Sequence, residues 1–278
     1  MDLYSTTALK CSKLITQHYS TSFTLGIKTL DRKLHLPIYA IYGFVRYADE
    51  IVDTFHNHDK AELLKRFEED AYRAIEERIS LNPVLHSFQL VVNEYHIDKE
   101  LIAAFLKSME MDLHNETYNQ DGYEEYIYGS AEVIGLMCLK VFTNGDQKSY
   151  EHLRPTAKKL GAAFQKVNFL RDIQSDFKDR GRVYFPGVDF TEFTESDKQD
   201  IEKDITQDFA EALIGIKQLP KSARAGVYLA YVYYLQLFKK IKGLPSSKIA
   251  NSRVRVPDSI KFFLLLKTLI ANRLNIIK

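Results

Sequence analysis

The chain has 278 residues, 45% of them hydrophobic, enough to bury one large core or two small ones. Its 38 Lys+Arg against 37 Asp+Glu leave a net charge of +1, which excludes the basic excess of a nucleic-acid binder. The two cysteines, Cys11 and Cys138, lie in apolar helical contexts and read as core residues of a cytosolic protein, not as a disulfide framework.

The opening Met1-Asp2-Leu3-Tyr4-Ser5-Thr6 lacks the basic start and apolar stretch of a signal peptide. No run approaches the ~20 apolar residues that span a bilayer. The expected location is the cytoplasm, with peripheral contact to the inner face of a membrane also open. Asp31 is placed to cap a helix running to about Asp53, where Ile38, Ile41, Tyr42, Val45 and Ala48 recur at helical spacing. Further helical patterns cover about 60–80, 84–95, 98–113, 123–142, 150–177, 198–217, 222–241 and 258–275. No run alternates cleanly enough for a strand. Breaks fall at Asn82-Pro83, Asn144-Gly145, Gly181 to Gly187, Leu219-Pro220 and Gly243-Leu244-Pro245, and none is long enough for an interdomain linker. The reading is one all-α domain over 1–278.

Two constellations carry chemistry. In Arg46-Tyr47-Ala48-Asp49-Glu50-Ile51-Val52-Asp53, Asp49 and Asp53 project from one helix face about 5.4 Å apart. Their repulsion weakens a helix unless a cation bridges them. A solvated acidic face fits this pair as well, although Val45, Ala48 and Val52 around it favour an inward orientation. In Gln165-Lys166-Val167-Asn168-Phe169-Leu170-Arg171-Asp172-Ile173-Gln174-Ser175-Asp176, Asn168, Asp172 and Asp176 line a stripe roughly 12 Å long, and Gln165 extends it. Asn and Asp are poor helix-interior residues, so three in one line suggest a task beyond solvation. Two acidic stripes suit Mg2+ held by carboxylates and shared with phosphate oxygens. No Walker-type loop is present, so nucleotide hydrolysis has no support.

In order along the chain, these segments resemble the squalene/phytoene synthase family. Tyr19-Ser20-Thr21-Ser22-Phe23 is similar to its Ser-x-Ser-Phe segment, and Tyr39 to Arg46 leads into Asp49 to Asp53. Tyr128-Gly129-Ser130-Ala131-Glu132-Val133-Ile134-Gly135 resembles its Tyr-x-x-x-Val-Gly helix. Asn168 to Asp176 and Arg180-Gly181-Arg182-Val183-Tyr184-Phe185-Pro186 follow as a second acidic motif and a loop. Glu50 stands where many members have a second Asp, and a C-terminal membrane anchor is missing, which points to a bacterial type.

The resemblance implies an isoprenoid-synthase-type helical bundle with a central cavity. It implies condensation of two prenyl diphosphates head to head through a cyclopropylcarbinyl diphosphate. Asp49, Asp53, Asp172 and Asp176 would bind Mg2+, with Asn168 in support and Mn2+ as a substitute. Arg46, Arg171 and Arg253 would contact diphosphate. Ser20, Ser22, Phe23, Tyr233 and Gln165 would line the reacting centre, and Tyr42 and Tyr128 would stabilise or deprotonate cations. Plain core packing suits Tyr42, Tyr128 and Tyr233 equally, and solvated surface suits Arg253. His56 and His58 read as a surface loop. The loop from Asp179 to Pro186 would cover the site and exclude water.

Arg180 to Pro186 looks most like the phytoene synthases, so geranylgeranyl diphosphate leads as substrate, with no need for NADPH and a carotenoid desaturase as downstream partner. Squalene or dehydrosqualene from farnesyl diphosphate is the C15 alternative. A class I terpene cyclase would end its second motif in Glu, and the silent assembly factors among the relatives lose acidic ligands that this chain keeps. The segment Asp258 to Lys278, apolar with interleaved cations, is expected to pack on the bundle, with a membrane surface as its other role.

Overall fold

The first two helices lie outside the sequence expectation. Asp2 accepts from the Ser5 amide to start α1 (Leu3–Tyr19), and Ser20 caps α2 (Thr21–Lys28) through the Phe23 amide. The inward face of α1 sets Ser5, Ser12 and Thr16 beside Ala8 and Leu9, which weakens its apolar periodicity. Ser5 reaches His86 Nε2 at 3.0 Å, Ser12 meets Ser87 at 2.6 Å, and the Thr16 hydroxyl donates back to the Ser12 carbonyl. The structure is a computed structural model describing residues 1–114, 117–180, 182–188, 193–249, 254–274 and 277, with backbone only at 177–180, 258 and 262.

From Asp31 onward the expected helices appear. Asp31 caps α3 (Arg32–Thr54) through the Lys33 amide, Asp59 caps α4 (Lys60–Glu77), and Asn82 with Pro83 in the first turn starts α5 (Pro83–Tyr95). After α6 (Lys99–His114), the helix expected at 123–142 is three pieces. They are α7 (Gln120–Ile127), a π-helical turn (Tyr128–Glu132) and α8 (Val133–Phe142). The long α9 (Gln147–Arg180) follows, then α10 (Glu195–Gln218), α11 (Lys221–Lys242), α12 (Ser246–Ile249) and α13 (Asp258–Arg273). Among the described residues there is no strand, only an isolated parallel bridge between Thr117 and Val183. No helix among them is long and apolar enough to cross a membrane.

The apolar residues gather in two clusters. One joins α1, α3, α4, α5, α6 and α8 around Phe44, whose ring stacks on Phe88 at 3.9 Å and lies 5.3 Å from Phe67. The other joins α7, α9, α10 and α11 around Val167, Leu170, Ile205, Phe209 and Phe238. A buried ion pair sets the rotation of α9. Lys166 Nζ donates to Asp208 Oδ2 at 2.6 Å and Asp204 Oδ2 at 2.5 Å, both on α10. A lone buried charge is costly, so Lys166 stays on the α10 side. Asn168, about 200° around the helix from it, then faces the opposite way.

Candidate active site

Between the two clusters lies a cavity of about 650 Å³. On α3, Asp49 and Asp53 both line it, with Val45 and Tyr42 one and two turns earlier. On α9, Gln165, Asn168, Arg171, Asp172 and Asp176 form another wall. Both acidic stripes therefore face inward, and neither is a solvated surface. Asp176 is 9% exposed.

Hydrogen bonds fix the polar side chains. Tyr234 Oη donates to Asn168 Oδ1 at 3.2 Å, Asn168 Nδ2 donates to Gln165 Oε1 at 3.4 Å, and Gln165 Nε2 donates to Ser130 Oγ at 3.2 Å. Arg171 Nε donates to both carboxylate oxygens of Asp172 at 3.0 Å. Ser20, Ser22, Phe23 and Tyr233 also line the cavity, and the Phe23 ring lies 4.9 Å from that of Tyr42.

The Asp49 carboxyl is pushed up to about 7, chiefly by burial; Arg46 opposes the rise, and Asp53, Asp112 and Glu50 add to it. A folded-state value above the unfolded one favours the protonated acid. The stability this group supplies is present at low pH and is lost as pH rises through about 7. Without divalent cation, Asp49→Asn is therefore expected to melt higher than wild type at about pH 8, with the gap narrowing towards about pH 5. Thermal denaturation of both proteins checks this, and equal melting temperatures across that range would contradict it.

The donors at this end suit Mg2+. They are carboxylates and one amide oxygen, with no imidazole lining the cavity among the described residues. Nor do three or more His, Cys, Asp or Glu side chains already stand as one coordination cluster among the described residues. Mg2+ is usually held by one or two carboxylates, with phosphate oxygens and water as its other ligands.

Two expected site residues fall elsewhere. Arg46 does not line the cavity; it pairs with Glu50 one turn on, lies 3.7 Å from Asp49 Oδ2 and sits over the Tyr19 ring at 4.3 Å. Tyr128 does not line it either, because its ring packs on the first apolar cluster with Lys158 Nζ 5.0 Å from its centroid. The π turn explains the difference. Its wider coil keeps Tyr126, Ser130, Ile134 and Cys138, four residues apart, on the cavity wall and turns Tyr128 away. Glycines let this turn wedge between its neighbours. A Cβ on Gly129 would stand 2.4 Å from the Ala104 carbonyl oxygen, and one on Gly161 would stand 2.8 Å from that of Ala131. Arg253 lies outside the described residues.

Other residues enter that the motifs did not single out. Asp112 on α6 and Arg182 join the acidic end, with Arg182 Nη1 3.4 Å from Asp112 Oδ1 and 3.7 Å from Asp53 Oδ1. The Arg182 amide donates to the Asp176 carbonyl at 2.8 Å, and the Tyr184 ring stacks on Phe169 at 4.1 Å. These contacts hold 182–184, part of the loop expected as a cover, against the polar end. Tyr234 and Lys261 line the wall from α11 and α13. Asp112 carries no motif signal, whereas Arg182 and Tyr184 sat inside a loop whose chain path the sequence leaves open. Cys138 is free and lines the cavity, with its thiol pushed up to about 12 by burial, as a core thiol should be. His56 and His58 are exposed in the turn after α3.

Comparison with known proteins agrees with this architecture. The profile of the family described as squalene/phytoene synthase matches residues 16–259. A 4,4'-diapophytoene synthase of Staphylococcus haemolyticus is 28% identical over 201 residues, 70% of this chain and 67% of that one. The phytoene synthase of Arthrospira platensis is 27% identical over 278 residues, 90% of this chain and 89% of that one. Phytoene synthase 1 of Zea mays, a chloroplastic protein, is 26% identical, and the match covers 60% of its length. Among solved structures, a ligand-bound dehydrosqualene synthase superposes with a TM-score of 0.81 over 97% of this chain and 98% of that one at 22% identity. A squalene synthase, HpnC, from Alicyclobacillus acidocaldarius gives a TM-score of 0.75 at 18% identity, over 87% of this chain and 96% of that one.

Proposed function

The chain belongs to the squalene/phytoene synthase family, and from that premise we propose that it condenses two geranylgeranyl diphosphates head to head to give phytoene. The observation that carries this reading is the length of the apolar cavity behind the acidic end. Along α9 the wall continues from Asn168 through Gln165, Phe164, Gly161, Leu160, Ala157 and Thr156 to Leu153, a run of about 22 Å at 1.5 Å per residue. An extended geranylgeranyl backbone, at roughly 1.25 Å advance per C–C bond, needs about 19 Å, and a farnesyl backbone about 14 Å. The C15 reading is favoured by the likeness to the 4,4'-diapophytoene synthase.

Asp49, Asp53, Asp172, Asp176 and Asn168 would hold Mg2+, which supplies Lewis acidity to the departing diphosphate. The chain's own residues do the rest. Arg171 faces the leaving group, Phe23, Tyr42 and Tyr233 offer ring faces to developing positive charge, and the apolar wall orients the prenyl chains. Arg182 and Tyr184 close the polar end against water, which would otherwise capture a cation. In the first half, the C–O bond of one allylic diphosphate breaks and the double bond of the second molecule attacks. Loss of a proton closes a cyclopropylcarbinyl diphosphate. Its ionisation, rearrangement and loss of a second proton leave a neutral C40 hydrocarbon, so no NADPH is consumed. A desaturase is the class of enzyme that would take this product.

The test is incubation of the purified chain with Mg2+ and geranylgeranyl diphosphate, and separately with farnesyl diphosphate, with the hydrocarbon identified by mass. Phytoene as the main product is expected; a C30 hydrocarbon alone would move the assignment to the C15 branch.

The product also needs a lipid phase, and α13 is built to meet one. Lys261 and Leu264 face the cavity, while Phe263, Leu266, Ile270 and Leu274 are exposed within about 80° of the opposite side of the helix. Lys267 and Arg273 flank this strip, and no acidic residue occurs between Ser259 and Leu274. This face would lie on an anionic membrane surface. Flotation with phosphatidylglycerol vesicles is expected to carry the protein, and Ile270→Glu to release most of it. Equal flotation of both proteins would dismiss the contact.

A further inference from the structure

We infer that the hydrocarbon product leaves sideways, under α13, through a gate hinged at Val256 and latched at Ile277; this rests on the reading under Proposed function. The substrates carry diphosphates that match the acidic end, so they enter there. The product has lost both diphosphates. Drawing a bare hydrocarbon chain back past Asp53, Asp112 and Arg182 would strip water from those charges and return nothing to them. The far end is closed, because Leu139, Leu153 and Leu219 line it and are buried in the bundle.

Of the side walls, the joint between α2 and α11 leaves no passage. A Cβ on Gly226 would stand 2.3 Å from Leu30 Cδ2 and 2.8 Å from the Gly26 carbonyl oxygen. The wall at α13 is different. This helix packs on α11, and its Lys261 and Leu264 line the cavity beside it, with Lys261 Nζ 5.8 Å from the centre of the Tyr233 ring. Among the described side chains of α13, only Thr268 is buried. A helix with so few buried contacts opens at the least cost. Its two ends, by contrast, are fixed. Before it, Val254 and Val256 are buried, and Lys240 Nζ donates to the Arg255 carbonyl at 2.7 Å. After it, Ile277 is 4% exposed, and its carbonyl accepts from Arg224 Nη1 at 3.2 Å. The same guanidinium donates from Nη2 to the Leu219 carbonyl at 2.8 Å, so the latch and the floor of the cavity share one side chain.

Opening in water would expose Leu264 and the apolar wall behind it, which opposes release. Against a bilayer that cost disappears. Phe263, Leu266 and Ile270 are exposed on the outer face to meet lipid, and the hydrocarbon then passes from one apolar phase to another. The gate stays shut while the carbocation needs shielding from water, and it opens towards the phase that takes the product.

The test bridges the latch. The double variant Arg224→Cys with Ile277→Cys is joined by a bismaleimide that contains a reducible disulfide. It is supplied with Mg2+, the prenyl diphosphate that wild type condenses, and phosphatidylglycerol vesicles as a sink. Ile277→Cys alone, treated alike, carries the reagent without the bridge. Wild type is run first; no head-to-head hydrocarbon from it would refute the proposed function and not the gate. Given that hydrocarbon, the bridged protein is expected to make about one equivalent per chain and stop, roughly tenfold or more below Ile277→Cys, with the product retained on the protein. Reduction of the bridge should release the product and restore turnover, which a misfolded protein would not do. A bridged protein that turns over like Ile277→Cys, or one that makes no first equivalent, overturns the route.

Discussion

Asp49→Asn and Asp172→Asn are each expected to lower kcat/KM by about 10³-fold or more, equivalent to about 4 kcal/mol of lost transition-state stabilisation. Both carboxylates line the polar end of the cavity from different helices, so neither replaces the other. An amide keeps the shape but removes the negative charge that a hard divalent cation and its bound diphosphate require. Folding should survive. Asn at 49 relieves a carboxyl that burial and neighbouring acids oppose, and Asn at 172 leaves Arg171 with a side chain still 23% accessible. Turnover by product mass and helicity by circular dichroism measure the two effects separately. Full activity in both variants would remove the acidic helices from the chemistry.

The second large effect concerns chain length. Ala157 lies on the cavity wall eleven residues, about 16 Å, from Asn168 along α9. That point falls between the ends of an extended farnesyl and an extended geranylgeranyl backbone, about 14 and 19 Å. Ala157→Phe should block the last isoprene unit of the longer substrate and spare the shorter one. Losing burial of five carbons at about 0.8 kcal/mol each is about 4 kcal/mol, so the kcat/KM ratio should move towards farnesyl diphosphate by about three orders of magnitude. Competition between the two diphosphates reads this ratio directly. An unchanged ratio would place the chain-length limit on another wall.

Most of the bundle was legible because its helices bury apolar stripes and several begin with a side chain suited to capping. Asp31, Asp59 and Asn82 each accept from an amide of the helix that follows, at or near the expected starts. The opening helix was not legible, since Ser5, Ser12 and Thr16 share its buried face with only Ala8 and Leu9 and pair with other side chains or their own turn. Within 123–142 a π turn is invisible to a period of 3.6, and it exchanges Tyr126 for Tyr128 at the cavity.

By itself, the order of residues determined which polar side chains share a helix face, because that depends only on spacing along one helix: Asp49 with Asp53, and the Asn168 amide with the Asp172 and Asp176 carboxylates. Tertiary structure decided that these faces point inward to one cavity, through contacts between residues far apart in the chain, such as Lys166 with Asp204 and Asp208. It also decided that Asp112 and Arg182, seventy residues apart, meet at 3.4 Å. Periodicity reports the surroundings of one helix, whereas the company a side chain keeps across the bundle is set by how all the helices pack at once.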